Sequence, residues 1–261
     1  MNSNSQDKSS WPKISVILPN RNMGPALEKT IQSIIAQDYS NYELIIIDNC
    51  SKDNSLEVVK KYERHITYWV SEPDGGIYDG YNKGIKVATG DWLYFIGAGD
   101  YLLEPDVFRS VMTNIDGVDI VYGNCYWGSH DRLHGGKYSK WRLINHNMCH
   151  QTIFYHRELF KKHGLYDTQY WIYADWVFNF KCWSDRHSKK KYVDKLIVFY
   201  DGRGASYVHH AKDSFMKERP SLIAKYFGVL HLCLYFIKTG YRYMQNNVMH
   251  IIKPIKSSLK I

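Results

Sequence analysis

The 261-residue chain has no C-x-x-C pair, and its five cysteines (Cys50, Cys125, Cys149, Cys182 and Cys233) are scattered and odd in number. That excludes a disulfide framework or a zinc ribbon and suits a reducing cytosol. No apolar run approaches the roughly 20 residues that span a bilayer. The best candidate, Leu222–Ile237, is 16 residues long and carries Lys225 and His231. The opening stretch MNSNSQDKSSW is polar, lacks an apolar signal core, and reads as a flexible arm over residues 1–11 with no export signal. Acid is missing from residues 219–261, where Arg219, Lys225, Lys238, Arg242, Lys253, Lys256 and Lys260 supply most of the net +8. Residues 1–218 are therefore nearly neutral, which counts against a nucleic-acid partner, since such a domain carries its basic stripe on the folded module. The glycine fingerprint of dinucleotide oxidoreductases is absent too. After the first strand the turn reads Pro19-Asn20-Arg21-Asn22-Met23-Gly24.

What is present is strand and helix in alternation. Hydrophobic residues make up 44% of the chain, enough for a full core. Ile14–Leu18, Glu43–Asp48, Ile66–Val70 and Asp91–Ile96 read as strands. Between them, Leu27, Ile31, Ile34 and Ile35, then Leu56 and Val59, then residues 77–88 fall at helical spacing. That repetition predicts a mainly parallel sheet with right-handed crossovers. Further helices are expected at Pro105–Met112, Arg157–His163 and Ala174–Trp183, with strands at Val118–Tyr122 and Lys195–Tyr200. Residues 123–147 show no period and are expected to form a functional loop. Two aspartates end apolar runs: Asp48 after Leu44–Ile47 and Asp100 after Trp92–Gly99. Carboxylates at the carboxyl ends of buried strands face the crevice where open α/β sheets bind ligands, so the pair suits a nucleotide and a metal.

Four ordered motifs sharpen this: Ile14–Asn22, Ile47–Asp53, Ser71–Gly84 (SEPDGGIYDGYNKG) and Ala88–Asp91. Together, over about residues 13–215, they resemble inverting family 2 glycosyltransferases of GT-A fold, most closely the bacterial enzymes that build surface polysaccharides. The resemblance implies a Rossmann-like, mostly parallel open sheet flanked by helices (residues 12–218) and a C-terminal helical basic tail (219–261). It implies a UDP-sugar donor, its base held by Asp48 or Asn49 between Pro19 and Asn22, with Asp79, Asn82 and Lys83 on ribose and diphosphate. Asp48 could instead cap the next helix, and Lys83 could be simply solvated. Asp100 is expected to ligate Mn²⁺ or Mg²⁺, although the family's usual second carboxylate is replaced by Gly97-Ala98-Gly99. Glycine at 99 lets the backbone approach the ligand. Arg203 would pair with phosphate. His209 or His210 would add a metal ligand or remain a surface histidine.

On the acceptor side, Asp175 matches the family's general base, which takes the hydroxyl proton in an inverting displacement; an N-cap role is its alternative. His150 and Gln151 match an "HQ" element near the acceptor, and Trp176 would stack on sugar. The implied acceptor is a glycan or an undecaprenyl-diphosphate-linked glycan in capsule, O-antigen or exopolysaccharide assembly, receiving a hexosyl or N-acetylhexosaminyl group. The basic tail would lie on the cytosolic face of the inner membrane, or pack on the domain or on a second copy in a homodimer. A catalytically silent nucleotide-binding scaffold is the alternative to an enzyme.

Overall fold

The computed structural model describes residues 11–202 and 213–241. Residues 1–10, residues 203–212 with Arg203, His209 and His210, and residues 242–261 lie outside them.

The first half follows the expected alternation. Strands β1 (Ile14–Asn20), β2 (Tyr42–Asp48), β3 (Tyr68–Ser71) and β4 (Trp92–Phe95) alternate with helices α1 (Gly24–Ile35), α2 (Ser55–Lys61) and α3 (Ile77–Val87). β3, β2, β1 and β4 are adjacent in that order and wholly parallel. Because successive strand residues face opposite sides, each strand feeds two cores. Ile17, Ile45, Ile47, Leu93 and Phe95 pack beneath α3, while Val16, Leu18, Leu44, Ile46 and Tyr94 pack beneath α1. This two-sided burial explains why these runs are apolar throughout rather than alternating. α3 lies very close to β1: a Cβ on Gly84 would sit 2.3 Å from Ile17 Cγ2.

Beyond β4 the sheet becomes mixed. A two-residue strand β5 (Tyr101–Leu102), helix α4 (Val107–Val111) and strand β6 (Ile120–Trp127) lead into β7 (Arg132–His134) and α5 (Lys140–Asn145). Then come β8 (Ile153–His156), α6 (Glu158–His163), α7 (Ala174–Ser184) and β9 (Lys190–Tyr200). β8 joins antiparallel to β4 and β6, β9 runs parallel to β6, and β7 pairs with β6 as a hairpin. The stretch expected to be a loop, 123–147, thus holds the end of β6, all of β7 and α5.

Helix α8 (Phe215–Phe227) changes the expected domain boundary. Phe215 and Ile223 are wholly buried and Leu222 nearly so, in the core shared with α7. Arg219, counted from sequence with the basic amphipathic tail, is buried as well. Its guanidinium donates to Ile144 O and stacks 4.4 Å from the centre of the Trp176 ring. A border at 218/219 falls inside this helix. The structural break comes at Gly228 (φ 86°), after which a further helix, α9, occupies 229–241 of the described residues.

Candidate active site

The crevice lies at the carboxyl ends of β1, β2 and β4, built first from a polar knot. Asp48 ends β2 opposite Asn20 of β1. Its carboxylate is fully buried, and each oxygen accepts two hydrogen bonds. One oxygen takes Asn20 Nδ2 (2.8 Å) and Ser51 Oγ (2.5 Å); the other takes Ser51 N (2.9 Å) and Ser71 Oγ (2.7 Å). Burial alone would raise its pKa, but these bonds outweigh burial and hold it below the usual carboxylate range. Asp48 therefore ties β1, β2 and β3 together and has no open lone pair for a base. Asn22, in the left-handed region (φ 52°), completes the knot by accepting from Lys52 N, while its own N–H donates to Ser51 Oγ. Pro19 is buried against α3, its Cβ 3.0 Å from where a Cβ on Gly80 would stand.

The more accessible polar pair is the next residue and a partner that sequence reasoning did not single out. Asn49 Nδ2 donates to Asp74 Oδ1 (2.6 Å), and Asp74 N donates back to Asn49 Oδ1 (3.2 Å). Both residues are half-buried, and burial raises the pKa of Asp74. The EPD segment did carry a signal here, since it brings an acid to the end of β3 beside β2.

The residues expected on ribose and diphosphate divide between two tasks. Asn82 is turned into the core, its amide bonded both ways to the backbone of Tyr166 (2.9 and 3.0 Å). It fixes the loop after α6 rather than facing a ligand. Lys83 Nζ is held by Pro73 O (2.6 Å) and Glu72 (2.7 Å), and the Glu72 bond raises its pKa. Asp79 accepts from Gly75 N (3.0 Å). Asp79 and Lys83 thus shape the 72–75 loop from one edge of α3.

Asp100 follows β4, reached through Gly99 in the left-handed region (φ 104°), whose N–H donates to Thr30 Oγ1. It is 7% exposed, and burial pushes its pKa up to about 7 against hydrogen bonds from Asp201 N (3.0 Å) and Gln151 Nε2 (2.7 Å). Asp175, in the first turn of α7, is 2% exposed. Burial raises it to about 6, opposed by Tyr78 Oη (2.8 Å) and Asn147 Nδ2 (2.9 Å). The consecutive residues His150 and Gln151 join the two acids. Gln151 bonds Asp100, and His150 Nδ1 lies 3.8 Å from Asp175 Oδ2, with Nε2 3.1 Å from Tyr81 Oη. Burial lowers His150 to about 4, so at neutral pH it is uncharged.

Asp100 and Asp175 are thus both buried carboxylates whose pKa values burial raises, and the dipeptide His150-Gln151 lies against both of them. Asp48 ends β2, two strands from β4 and so about 10 Å from it at ordinary strand spacing, and Asp100 follows β4 by five residues. Trp176 does not join this centre. It is 6% exposed, donates its indole N–H to Leu143 O (2.8 Å) and packs on Phe215 and Arg219, because it lies on the core face of α7 next to Asp175. Tyr78, Tyr81 and Asn147, missed from sequence, supply the contacts instead. The tyrosines had a signal, an i, i+3 stripe on the buried face of α3; Asn147 had none.

The glycosyl transferase family 2 model matches residues 15–177, covering β1 through the first turn of α7. The chain belongs to this family. A Mycobacterium bovis protein named PGL/p-HBAD biosynthesis glycosyltransferase is 34% identical, with 80% of this chain and 84% of that protein aligned. Escherichia coli YibD, an uncharacterized glycosyltransferase, is 33% identical over 44% of this chain and 34% of its own length. Among solved structures, a Staphylococcus aureus TarS fragment superposes with a TM-score of 0.64 at 20% identity, covering 81% of this chain. This glycosyltransferase spans about 65% of that fragment's length. The Pyrobaculum calidifontis mannosyltransferase PcManGT, in complex with GDP-Man and Mn²⁺, superposes with a TM-score of 0.63 at 18% identity, covering 90% of this chain and 77% of its own. These similarities establish the GT-A-like fold of this family 2 glycosyltransferase.

Proposed function

We propose that this glycosyltransferase moves a hexosyl or N-acetylhexosaminyl group, with inversion, from a UDP-sugar to a hydroxyl of a glycan or undecaprenyl-diphosphate-linked glycan. The setting is bacterial surface-polysaccharide assembly at the cytosolic face of the inner membrane. The observation that supports this reading is that Gln151 donates to Asp100 while the neighbouring His150 lies against Asp175: Asp100 is read as the carboxylate that would hold the cation of the diphosphate, and Asp175 as the base for the acceptor. Relatives support it: the TarS fragment has been solved with UDP-GlcNAc, and the mycobacterial protein is named for PGL/p-HBAD biosynthesis. The base pocket is assigned to Asn49 and Asp74, with Pro19, Asn22 and Asp48 as its rigid back.

Asp175 takes the proton of the attacking hydroxyl. Tyr78 and Asn147 aim its oxygens, and the apolar wall around it keeps its basicity near the working pH. Neutral His150, fixed by Tyr81, keeps a second positive charge away from the developing oxocarbenium ion. Among the described residues no group of three His, Cys, Asp or Glu side chains is arranged to hold a metal. The donor set still fits a hard divalent ion. Asp100 is a buried carboxylate whose proton such an ion replaces, and Mg²⁺ or Mn²⁺ is commonly held by one or two carboxylates with substrate phosphate oxygens and water. When bound, such an ion would neutralise charge on the departing nucleoside diphosphate; Asp100 would hold it, with His209 as a second ligand and Arg203 paired to phosphate as the family resemblance implies.

UDP release from a panel of UDP-sugars, with Mn²⁺ and with chelator, tests the assignment. Release that needs metal and rises with acceptor supports transfer. UDP binding without any turnover supports a silent scaffold and removes the enzyme reading.

A further inference from the structure

Helix α9 carries two faces of different kinds. Its inner face packs Leu232 and Tyr235 against the main core, and the Lys238 ammonium lies 5.3 Å from the centre of the Trp141 ring. Its outer face is apolar and exposed. Leu230, Leu234, Ile237 and Tyr241 repeat at helical spacing with exposures of 71, 43, 68 and 58%, flanked by Val229 at 69% and Phe236 at 53%. A stripe of that size is not left in water without a partner. Thirteen residues make a helix about 20 Å long, and among the described residues no helix is long and apolar enough to cross a membrane.

We infer that this stripe is an in-plane docking surface for an anionic lipid bilayer, with the helix axis parallel to the membrane. Charge favours this occupant over a second copy of the chain. Residues 219–261 contain no Asp or Glu; of their seven Lys and Arg, Arg219 is buried in the core and Lys238 lies over Trp141, while Lys225 and, after α9 in the sequence, Arg242, Lys253, Lys256 and Lys260 supply the positive charge. Two such segments brought together across a twofold axis repel each other and find no acid on either side. An anionic lipid surface satisfies both features at once, burying the apolar stripe and attracting the cations. The stripe begins at Gly228, where α8 leaves the core, so lipid contact does not disturb the buried face of α8. The inference deepens the membrane placement proposed above, yet it stands apart from the chemistry: flotation reads lipid binding and UDP release reads transfer.

The experiment is flotation of the full chain with vesicles of phosphatidylcholine alone and of phosphatidylcholine with phosphatidylglycerol, beside the variant Leu230→Glu/Ile237→Glu. Both substituted side chains are exposed and far in sequence from the catalytic acids. The wild-type chain is expected to float with the anionic vesicles, and about tenfold less with neutral vesicles, at high salt, or as the double variant. The near-ultraviolet spectrum and UDP release of the variant are expected to match the wild type. Wild-type flotation that ignores lipid charge overturns the inference, and that reading needs no variant at all. So does a dimer, seen by light scattering, that the double substitution splits.

Discussion

Three carboxylates of the candidate site are tuned by two opposite means. Asp48 is saturated by four donors and sits below the ordinary range, whereas Asp100 and Asp175 are raised by burial. A saturated, low-pKa carboxylate is a poor base and a good brace, and a desolvated one near neutrality is the reverse. Replacing Asp175 by Asn keeps the Tyr78 contact but removes the proton acceptor. The expected result is a kcat lower by about 10²–10⁴-fold with UDP affinity little changed, checked by turnover and by calorimetry with UDP. In the wild type, kcat/KM should fall as pH drops through about 6, because protonation of Asp175 removes the base. A profile flat from pH 5 to 8 would assign the proton to another group. For Asp100 the linkage concerns stability. Its folded pKa is raised from 3.8 to about 7, so its favourable protonated state is fully present below the unfolded value and is lost as pH rises through 7. Asp100→Asn should therefore raise thermal stability in chelator by about 1–2 kcal/mol at pH 8, after allowance for altered hydrogen bonds. The gain should shrink towards nothing at pH 4.5. Scanning calorimetry at the two pH values checks the sign.

At the level of elements, α3 positions most of the site. Its buried stripe delivers Tyr78 to Asp175 and Tyr81 to His150, its polar edge pins the 72–75 loop, and Asn82 anchors the loop before α7. All of this requires the helix to lie close on β1, which Gly84 permits. Gly84→Ala would drive a methyl group to 2.3 Å from Ile17 Cγ2, in a core with no room to yield. A loss of about 1–3 kcal/mol is expected, read by chemical denaturation, together with a fall in kcat as Tyr78 and Tyr81 shift. Sequence made these elements legible because β1, β2 and β4 are strands buried on both faces and the helices between them carry a single apolar stripe, and both leave plain patterns. It failed over residues 123–147 because β7 is a three-residue exposed strand and α5 a six-residue helix, each too short to display a period. For the site residues the same limit applied. A motif can mark Asn82 or Trp176 as near the chemistry, but only packing reveals that the first faces Tyr166 and the second faces Arg219. Asp175 was legible and its partner Asn147 was not, since the bond between them crosses 28 residues of irregular chain.

Across the whole molecule, the catalytic module does not end where its charge pattern changes. Leu222–Ile237 looked from sequence like one interfacial segment, because apolar residues with an occasional base read alike whether a core or a lipid covers them. The structure divides it at Gly228: α8 buries Phe215, Leu222 and Ile223 against α7, and α9 turns Leu230, Leu234 and Ile237 outward. The helix that α8 supports is the one that carries Asp175, and Arg219 of α8 stacks on Trp176, the very next residue. Removing α8 would strip apolar cover from that wall and leave Ile144 O without its guanidinium donor. A cut after residue 218 keeps Phe215 but removes the buried Leu222 and Ile223 together with Arg219; each large side chain lost from such a core costs about 2–5 kcal/mol, a loss comparable with the whole stability of a typical domain, about 5–15 kcal/mol. A chain stopped after residue 218 is therefore expected to fail to unfold cooperatively and to release no UDP. One stopped after Gly228 keeps α8 and loses only the inner contacts of α9, so it should unfold in a single transition a few degrees lower and turn over a water-soluble acceptor. Equal stability and activity in both truncations would mean that α8 is an appendage and that α7 holds Asp175 in place unaided.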